Sequence, residues 1–372
     1  MITCAAVRSN DAPDAGAGGA PCLPSPKARQ REQWLDLGRV LGLFFIVLYH
    51  ANGRSLEFPL FFQRVPFLFM AAAYFVGRRE TFSWRHSPCR YVLFYLAWNG
   101  VALAEGFGRH LIYQKLGYAD AWDWGMLPWK LTGLGVTFPY DGPLWFLKYV
   151  MTLSLLSPFL FALRKRRLLV PVTVVVAVAV VLFPRLGMLF AEPPRVPWAD
   201  ALAFFMMGFC LSRLTLGEIK SFLKKTAVVS IPALMAVAWL NFDGMISEET
   251  LHTLPFWLIG ILGLGSLCVL LTEYSPFRRM ARACSPLFFF IYAVHCLVLP
   301  YMVPALSRIV PQGILPALLA ACLVFAGSFF FHRFIVRRHP SWEYLIFAQK
   351  GKRVESPIVR FGEYDLKKGK KR

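Results

Sequence analysis

The sequence predicts an all-α integral membrane protein, a bundle of about ten transmembrane helices with both termini in the cytoplasm. Hydrophobic residues make up 57% of the 372 residues and charged residues only 17%, so a single soluble domain could not bury the apolar surface. Apolar runs of membrane-spanning length recur along the chain, and Lys and Arg gather in every second connection between them. Together these observations place the chain in a bilayer.

The apolar runs give the positions of the predicted helices. Each is roughly 17 to 21 residues long, which is enough to cross a hydrocarbon core of about 30 Å. We expect spans near residues 34–52, 58–77, 91–110, 143–163, 168–186, 199–214, 226–242, 254–272, 285–305 and 314–334.

Charge in the short connections predicts the orientation. The run from Arg164 to Arg167 is entirely basic, whereas the segment from Asn241 to Glu249 has no Lys or Arg. Basic residues stay on the cytoplasmic side of short loops, so both termini are predicted to be cytoplasmic. We also expect a multi-pass protein of the cytoplasmic (inner) membrane. The net charge of +20 is therefore first a topological signal, and we expect no nucleic-acid partner.

The ends of the chain differ from its middle. Residues 1–30 are rich in Ala, Gly, Pro and Asp and are predicted to be a disordered arm. Residues 31–338 form the predicted transmembrane domain, and residues 339–372 form a basic cytoplasmic tail suited to anionic lipid heads. The eight cysteines contain no C-x-x-C pair, so we expect free thiols. The sequence contains no metal-binding motif, so we expect no metal.

Arg39 and His50 are the most informative pair in the chain, with ten residues between them in the first span. Eleven steps of about 100° leave both side chains on one face of a helix, separated by about 16 Å along its axis. Ionisable groups inside a membrane are rare and mark polar paths. Two other interpretations stay open: Arg39 extends to the headgroups, and His50 bonds a neighbouring helix. Asp36 is spaced to pair with Arg39.

Three segments carry a resemblance to a known family. The run from Arg31 to His50 contains Arg, ten residues and His; Asp141-Gly-Pro-Leu-Trp145-Phe-Leu follows; and Ser285-Pro-Leu-Phe-Phe-Phe-Ile-Tyr-Ala-Val-His295 comes last. In this order they resemble acyltransferase family 3, the ten-helix membrane O-acyltransferases. The chain departs from the family pattern where Ala71-Ala-Ala73 replaces a Ser-Gly, and where Arg85 and Arg90 stand further apart than the usual arginine pair.

The resemblance implies a function for residues 31–338, an acyltransferase-like transmembrane domain. Members move an acyl group, usually acetyl, from cytoplasmic acyl-CoA to a hydroxyl of a sugar or surface glycan. By this likeness the donor substrate is acetyl-CoA, Arg39 holds its phosphate or pantetheine end, and His50 takes the proton from the acceptor hydroxyl. A non-enzymatic transporter or flippase for a glycan or lipid-linked sugar is the alternative, since a polar stripe suits it equally.

Five further residues are candidate substrate contacts, each with an alternative structural role. Arg85 and Arg90 suit CoA phosphates, although the positive-inside rule alone explains basic residues there. Trp145 suits stacking on a sugar, or a place in the aromatic belt of a membrane interface. His295 suits either a substrate contact or an interhelical hydrogen bond. Glu105 suits a carboxylate that orients His50, or an interface residue.

Overall fold

The computed structural model describes residues 32–51, 64–79, 89–116, 124–132, 142–182, 198–246, 248–251, 253–310, 314–334 and 336–338. Every regular element in these ranges is helical. The helices used below are α1 (Gln33–Ala51), α2 (Arg64–Gly77), α3 (Cys89–Lys115), α4 (Leu127–Thr132), α5 (Leu144–Leu155), α6 (Ser157–Lys165), α7 (Leu169–Leu182), α8 (Trp198–Leu211), α9 (Leu216–Phe242), α10 (Glu248–Leu251), α11 (Leu254–Leu271), α12 (Ser275–Cys284), α13 (Phe288–Ser307) and α14 (Ile314–Phe334). The predicted arm, the predicted tail and Arg85 lie outside the described residues.

Within the described residues each predicted span overlaps a helix, and α5 and α6 together occupy the fourth. Five helical segments are long and apolar enough to cross a bilayer, or six if α5 and α6 form one bent span. The helices α2, α7 and α8 are apolar but shorter. The all-α membrane class is therefore confirmed, while the number of ten spans and the side of the termini stay predictions.

Pro158 explains why the fourth span is bent. A proline has no N–H, so the helical hydrogen bond that residue 158 would donate to the carbonyl of Ser154 is lost. The hydroxyl of Ser157 donates to that carbonyl instead, at 2.6 Å. The helix axis turns by 45° at this break. A serine next to the proline thus satisfies the freed carbonyl, as the interior of a membrane requires.

Glycines allow the closest helix contacts of the bundle. A Cβ atom at Gly208 on α8 would lie 2.3 Å from the carbonyl oxygen of Met70 on α2. A Cβ atom at Gly263 on α11 would lie 2.6 Å from the side chain of Leu234 on α9. Small residues let membrane helices approach closely enough for dispersion forces to hold them together. The pairs α2–α8 and α9–α11 share the most extensive helix contacts among the described residues.

Arg164 shows that a basic residue at a helix end has more than a topological role here. Its guanidinium donates to the carbonyl of Gly77 at 2.7 Å, at the C-terminal end of α2. It also lies 4.6 Å from the centre of the Phe161 ring. A cation at the C-terminus of a helix is favoured by the helix dipole and satisfies carbonyls that lack a partner. Arg164 therefore ties α6 to α2.

The helix α1 lies at the centre of the bundle. It packs against α2, α11, α12, α13 and α14, and most of its residues are buried. On the outside of the bundle, α7 exposes five valines, which suit contact with lipid tails: Val170, Val174, Val175, Val178 and Val181. Because α1 is surrounded by other helices, the stripe that carries Arg39 and His50 lies against neighbouring helices.

Candidate active site

Two helices place their polar residues side by side. The helix α1 carries Asp36, Arg39 and His50. The segment from Ser285 to His295 carries a partner for each of them, in the same order along the chain. Ser285 bonds Asp36, Phe288 lies under Arg39, and His295 faces His50. Because the order of contacts is the same along both segments, α1 and α13 run parallel. The bundle therefore places the first and last sequence motifs side by side.

The guanidinium of Arg39 is held from two sides at the N-terminal end of this surface. Its Nη1 lies 3.8 Å from Oδ1 of Asp36, and the same Oδ1 accepts a 2.7 Å hydrogen bond from the hydroxyl of Ser285. The guanidinium carbon lies 4.8 Å from the centre of the Phe288 ring, within reach of a cation–π interaction. The predicted pairing of Asp36 with Arg39 is confirmed. The side chain of Arg39 remains 24% exposed, so a ligand can reach it.

Two imidazoles meet at the other end of the surface. The ring centres of His50 and His295 lie 5.2 Å apart. His50 is exposed on the last turn of α1, whereas His295 is fully buried. Nδ1 of His295 lies 3.1 Å from the carbonyl of Ile291. Since a carbonyl only accepts, this bond puts the ring proton on Nδ1 and leaves a lone pair on Nε2. Nε2 is buried and has no hydrogen-bond partner among the described residues.

Cys296 adds a thiol to the two imidazoles. One ligand-type atom of each of His50, His295 and Cys296 lies within 4.8 Å of the other two. Nitrogen and sulfur are the atoms that zinc prefers, but zinc bonds of about 2.0–2.3 Å bring tetrahedral ligands to within roughly 4 Å of one another. The three ligand-type atoms of this cluster lie within 4.8 Å of one another. The prediction of no metal stays a prediction.

A hydrogen bond links the second motif, residues 141–147, to the third motif, residues 285–295. The hydroxyl of Tyr292 on α13 donates a hydrogen bond to the carbonyl of Pro143, directly before α5. Two residues on, Trp145 is half-buried and packs edge-to-face against Phe146 and Tyr149, with ring centres 6.4 Å and 5.3 Å away. Trp145 therefore belongs to an aromatic cluster beside the surface, and its contact with a substrate stays a prediction.

The other candidate residues have different surroundings. Glu105 on α3 accepts a hydrogen bond from the hydroxyl of Tyr301 and lies 3.2 Å from the guanidinium of Arg109. These are contacts to α13 and to its own helix, so a role of Glu105 in orienting His50 stays a prediction. Arg90 is the second residue of α3, at the N-terminal end of that helix. The CoA contacts predicted for Arg85 and Arg90 also stay predictions.

One stripe of this surface follows a sequence pattern that the prediction from the sequence does not include. Ser285, Phe288, Tyr292 and His295 follow one another at steps of three, four and three residues, which is the spacing of one helix face. That stripe matches the stripe of α1. The neighbour of His295, Cys296, was predicted only to be a free thiol, and nothing in its spacing pointed to the imidazole of His50.

Comparison with known proteins decides the family. The family model described as an acyltransferase domain matches residues 32–333, which is more than half of the chain. The chain belongs to this family. The predicted membership of acyltransferase family 3 is confirmed, and with it an acyltransferase in a multi-pass membrane protein. Neither a curated protein nor a solved structure matches the chain significantly. All three motifs of the family resemblance lie within the matched range or begin at its edge.

Proposed function

We propose that this acyltransferase moves an acyl group, acetyl in the simplest case, from cytoplasmic acyl-CoA to a hydroxyl of an extracytoplasmic sugar or glycan. The observation that carries the proposal is the parallel pairing of α1 with α13. It aligns a partly exposed guanidinium at one end with two facing imidazoles at the other. The inner membrane is the proposed location, because donor and acceptor then lie on opposite sides of the bundle.

Arg39 is the proposed anchor for the donor. Acyl-CoA carries phosphates at one end, and a guanidinium binds phosphate oxygens through paired N–H donors. Asp36 and Phe288 hold the guanidinium in one orientation, and the side chain is 24% exposed, so the phosphate or pantetheine end of the donor can reach it. With the phosphate end near Arg39, the pantetheine arm follows α1 toward His50.

His50 is the proposed general base. An imidazole titrates near neutral pH and is therefore suited to take a proton from a hydroxyl as its oxygen attacks the thioester carbonyl. His50 is exposed on the last turn of α1, so an acceptor can reach it. The reaction forms the new ester bond, breaks the carbon–sulfur bond of the thioester, and returns the proton to the CoA sulfur.

The test uses the purified protein in lipid nanodiscs and cells with or without the protein. Binding of labelled acetyl-CoA is measured directly, and the O-acetyl content of the envelope glycans reports transfer. The variant His50→Ala should bind acetyl-CoA normally and lose transfer by about 10²- to 10⁴-fold, the usual contribution of a general base. The variant Arg39→Ala should weaken binding of acetyl-CoA.

Matched variants on α14 serve as controls, since His332 and Arg333 lie in its last turn. The variants His332→Ala and Arg333→Ala should keep both binding and transfer. Turnover at the wild-type rate in the well-folded His50→Ala protein would refute the role of His50. If the wild-type protein binds no acetyl-CoA and leaves the glycan pattern unchanged, the proposed function itself is wrong.

A further inference from the structure

Cys296 has no role in the proposed reaction, yet it lies beside the two imidazoles. Its thiol is half-buried, and its sulfur lies within 4.8 Å of a ring nitrogen of His50 and of His295. Among the described cysteines, it is the one that shares such a cluster. A thiol next to a base can act as a nucleophile, because the base takes the proton and leaves the reactive thiolate.

His295 has the features of such a base. Its Nδ1–H is held by the carbonyl of Ile291, so the ring is fixed and the lone pair of Nε2 is available. That nitrogen is buried without a hydrogen-bond partner among the described residues, which is costly unless a function requires it. A nucleophile, a base and a group that orients the base form the arrangement of covalent acyl-transfer enzymes. Distances between nucleophile and base are often longer before a substrate binds.

We propose that Cys296 carries the acyl group as a thioester between the two substrates. This inference rests on the proposed function and replaces its single direct transfer by two steps. In the first step His295 takes the thiol proton, and the sulfur of Cys296 attacks the carbonyl carbon of acyl-CoA. The carbon–sulfur bond to CoA breaks, and the CoA sulfur takes the proton from His295. In the second step His50 takes the proton of the acceptor hydroxyl, whose oxygen attacks the acyl carbonyl on Cys296. The bond to Cys296 breaks, and its sulfur recovers the proton from His50.

The presence of two imidazoles supports a two-step reaction. His295 is fully buried, so it is screened from water and suits the exchange between two sulfur atoms. His50 is exposed and suits the step in which a hydroxyl enters from outside. Exchange of one thioester for another keeps the acyl group activated. CoA can therefore leave toward the cytoplasmic side before the acceptor arrives from the other side, and the two substrates need not occupy the bundle together.

Isotope exchange tests the inference without any knowledge of the acceptor. The full-length protein in nanodiscs is mixed with unlabelled acetyl-CoA and tritiated CoA, with no acceptor present. If Cys296 becomes acylated, label enters the acetyl-CoA pool, because CoA release is reversible. Protein incubated with [14C]acetyl-CoA should also retain label that neutral hydroxylamine removes, as it removes thioesters. Mass spectrometry should place the acetyl group on the peptide that contains Cys296.

Substitutions separate this inference from the proposed function. The variant Cys296→Ala should lose isotope exchange and protein labelling at least 100-fold while still binding acetyl-CoA, which also shows that it is folded. The control Cys322→Ala removes an exposed thiol on α14 and should behave as the wild-type protein. Glycan acetylation at the wild-type level in cells with Cys296→Ala would overturn the inference and leave direct transfer as the mechanism. If the wild-type protein does not bind acetyl-CoA, this result would instead overturn the proposed function.

Discussion

Gly208 offers the sharpest test of how this bundle is held together. It lies on α8 where that helix meets α2, and a Cβ atom there would lie 2.3 Å from the carbonyl oxygen and 2.7 Å from the Cα atom of Met70. Ordinary contact begins near 3.4 Å. Both atoms belong to the backbone, so no side chain can rotate away, and α2 and α8 have to separate by roughly 1 Å. Overpacking of this kind costs about 1–3 kcal/mol.

The unfolding midpoint of the variant Gly208→Ala should therefore lie several degrees below that of the wild-type protein. Tryptophan fluorescence during heating in detergent measures this midpoint. Gly327→Ala on α14 is the matched control, because nothing lies within 4 Å of its added methyl group. Alanine favours a helix over glycine by about 1 kcal/mol, so this control should be as stable as the wild type or slightly more stable. Equal unfolding midpoints for the two variants would show that the contact between α2 and α8 does not limit the stability.

Three further predictions concern single contacts. Tyr292→Phe removes the hydrogen bond to the carbonyl of Pro143 and should destabilise the protein by about 1–3 kcal/mol, measured by thermal unfolding; an unchanged midpoint would contradict it. Ser285→Ala removes a hydrogen bond to the buried carboxylate of Asp36 and should weaken acetyl-CoA binding several-fold, whereas Ser285→Thr should retain it. Arg167 has a left-handed backbone with φ of 60°, so Arg167→Gly should raise stability by about 1 kcal/mol, and a lower unfolding midpoint would refute this.

The sequence predicts well what a single helix determines. Arg39 and His50 share a face because eleven residues make about three turns, and both do contact α13. The positions of the helices also follow from local hydrophobicity. An apolar run inside a membrane forms a helix because a helix satisfies its own backbone hydrogen bonds. The fourth span is predicted as one run over 143–163, and the bend found there follows from the missing N–H of Pro158.

Contacts between segments far apart in the chain could not be predicted from the sequence. Ser285 lies 249 positions from Asp36, and Tyr292 lies 149 positions from Pro143. Such contacts depend on how far one helix slides along another, and side-chain packing over the whole bundle sets that register. For the same reason the basic loop predicted that Arg164 lies at a helix end, but not that its guanidinium satisfies the carbonyl of Gly77.

The unbroken helix between Arg39 and His50 also acts as a ruler. Three turns of backbone hydrogen bonds hold the Cα atoms of Arg39 and His50 about 16 Å apart along the axis, so the two side chains start from fixed positions on α1. On the proposed path, a donor bound by its phosphates at Arg39 presents its carbonyl to His50 only if its own arm is of matching length. Acetyl phosphate has no such arm. The rigid helix would thus select the carrier of the acyl group by its length, independently of any contact with the acyl group itself.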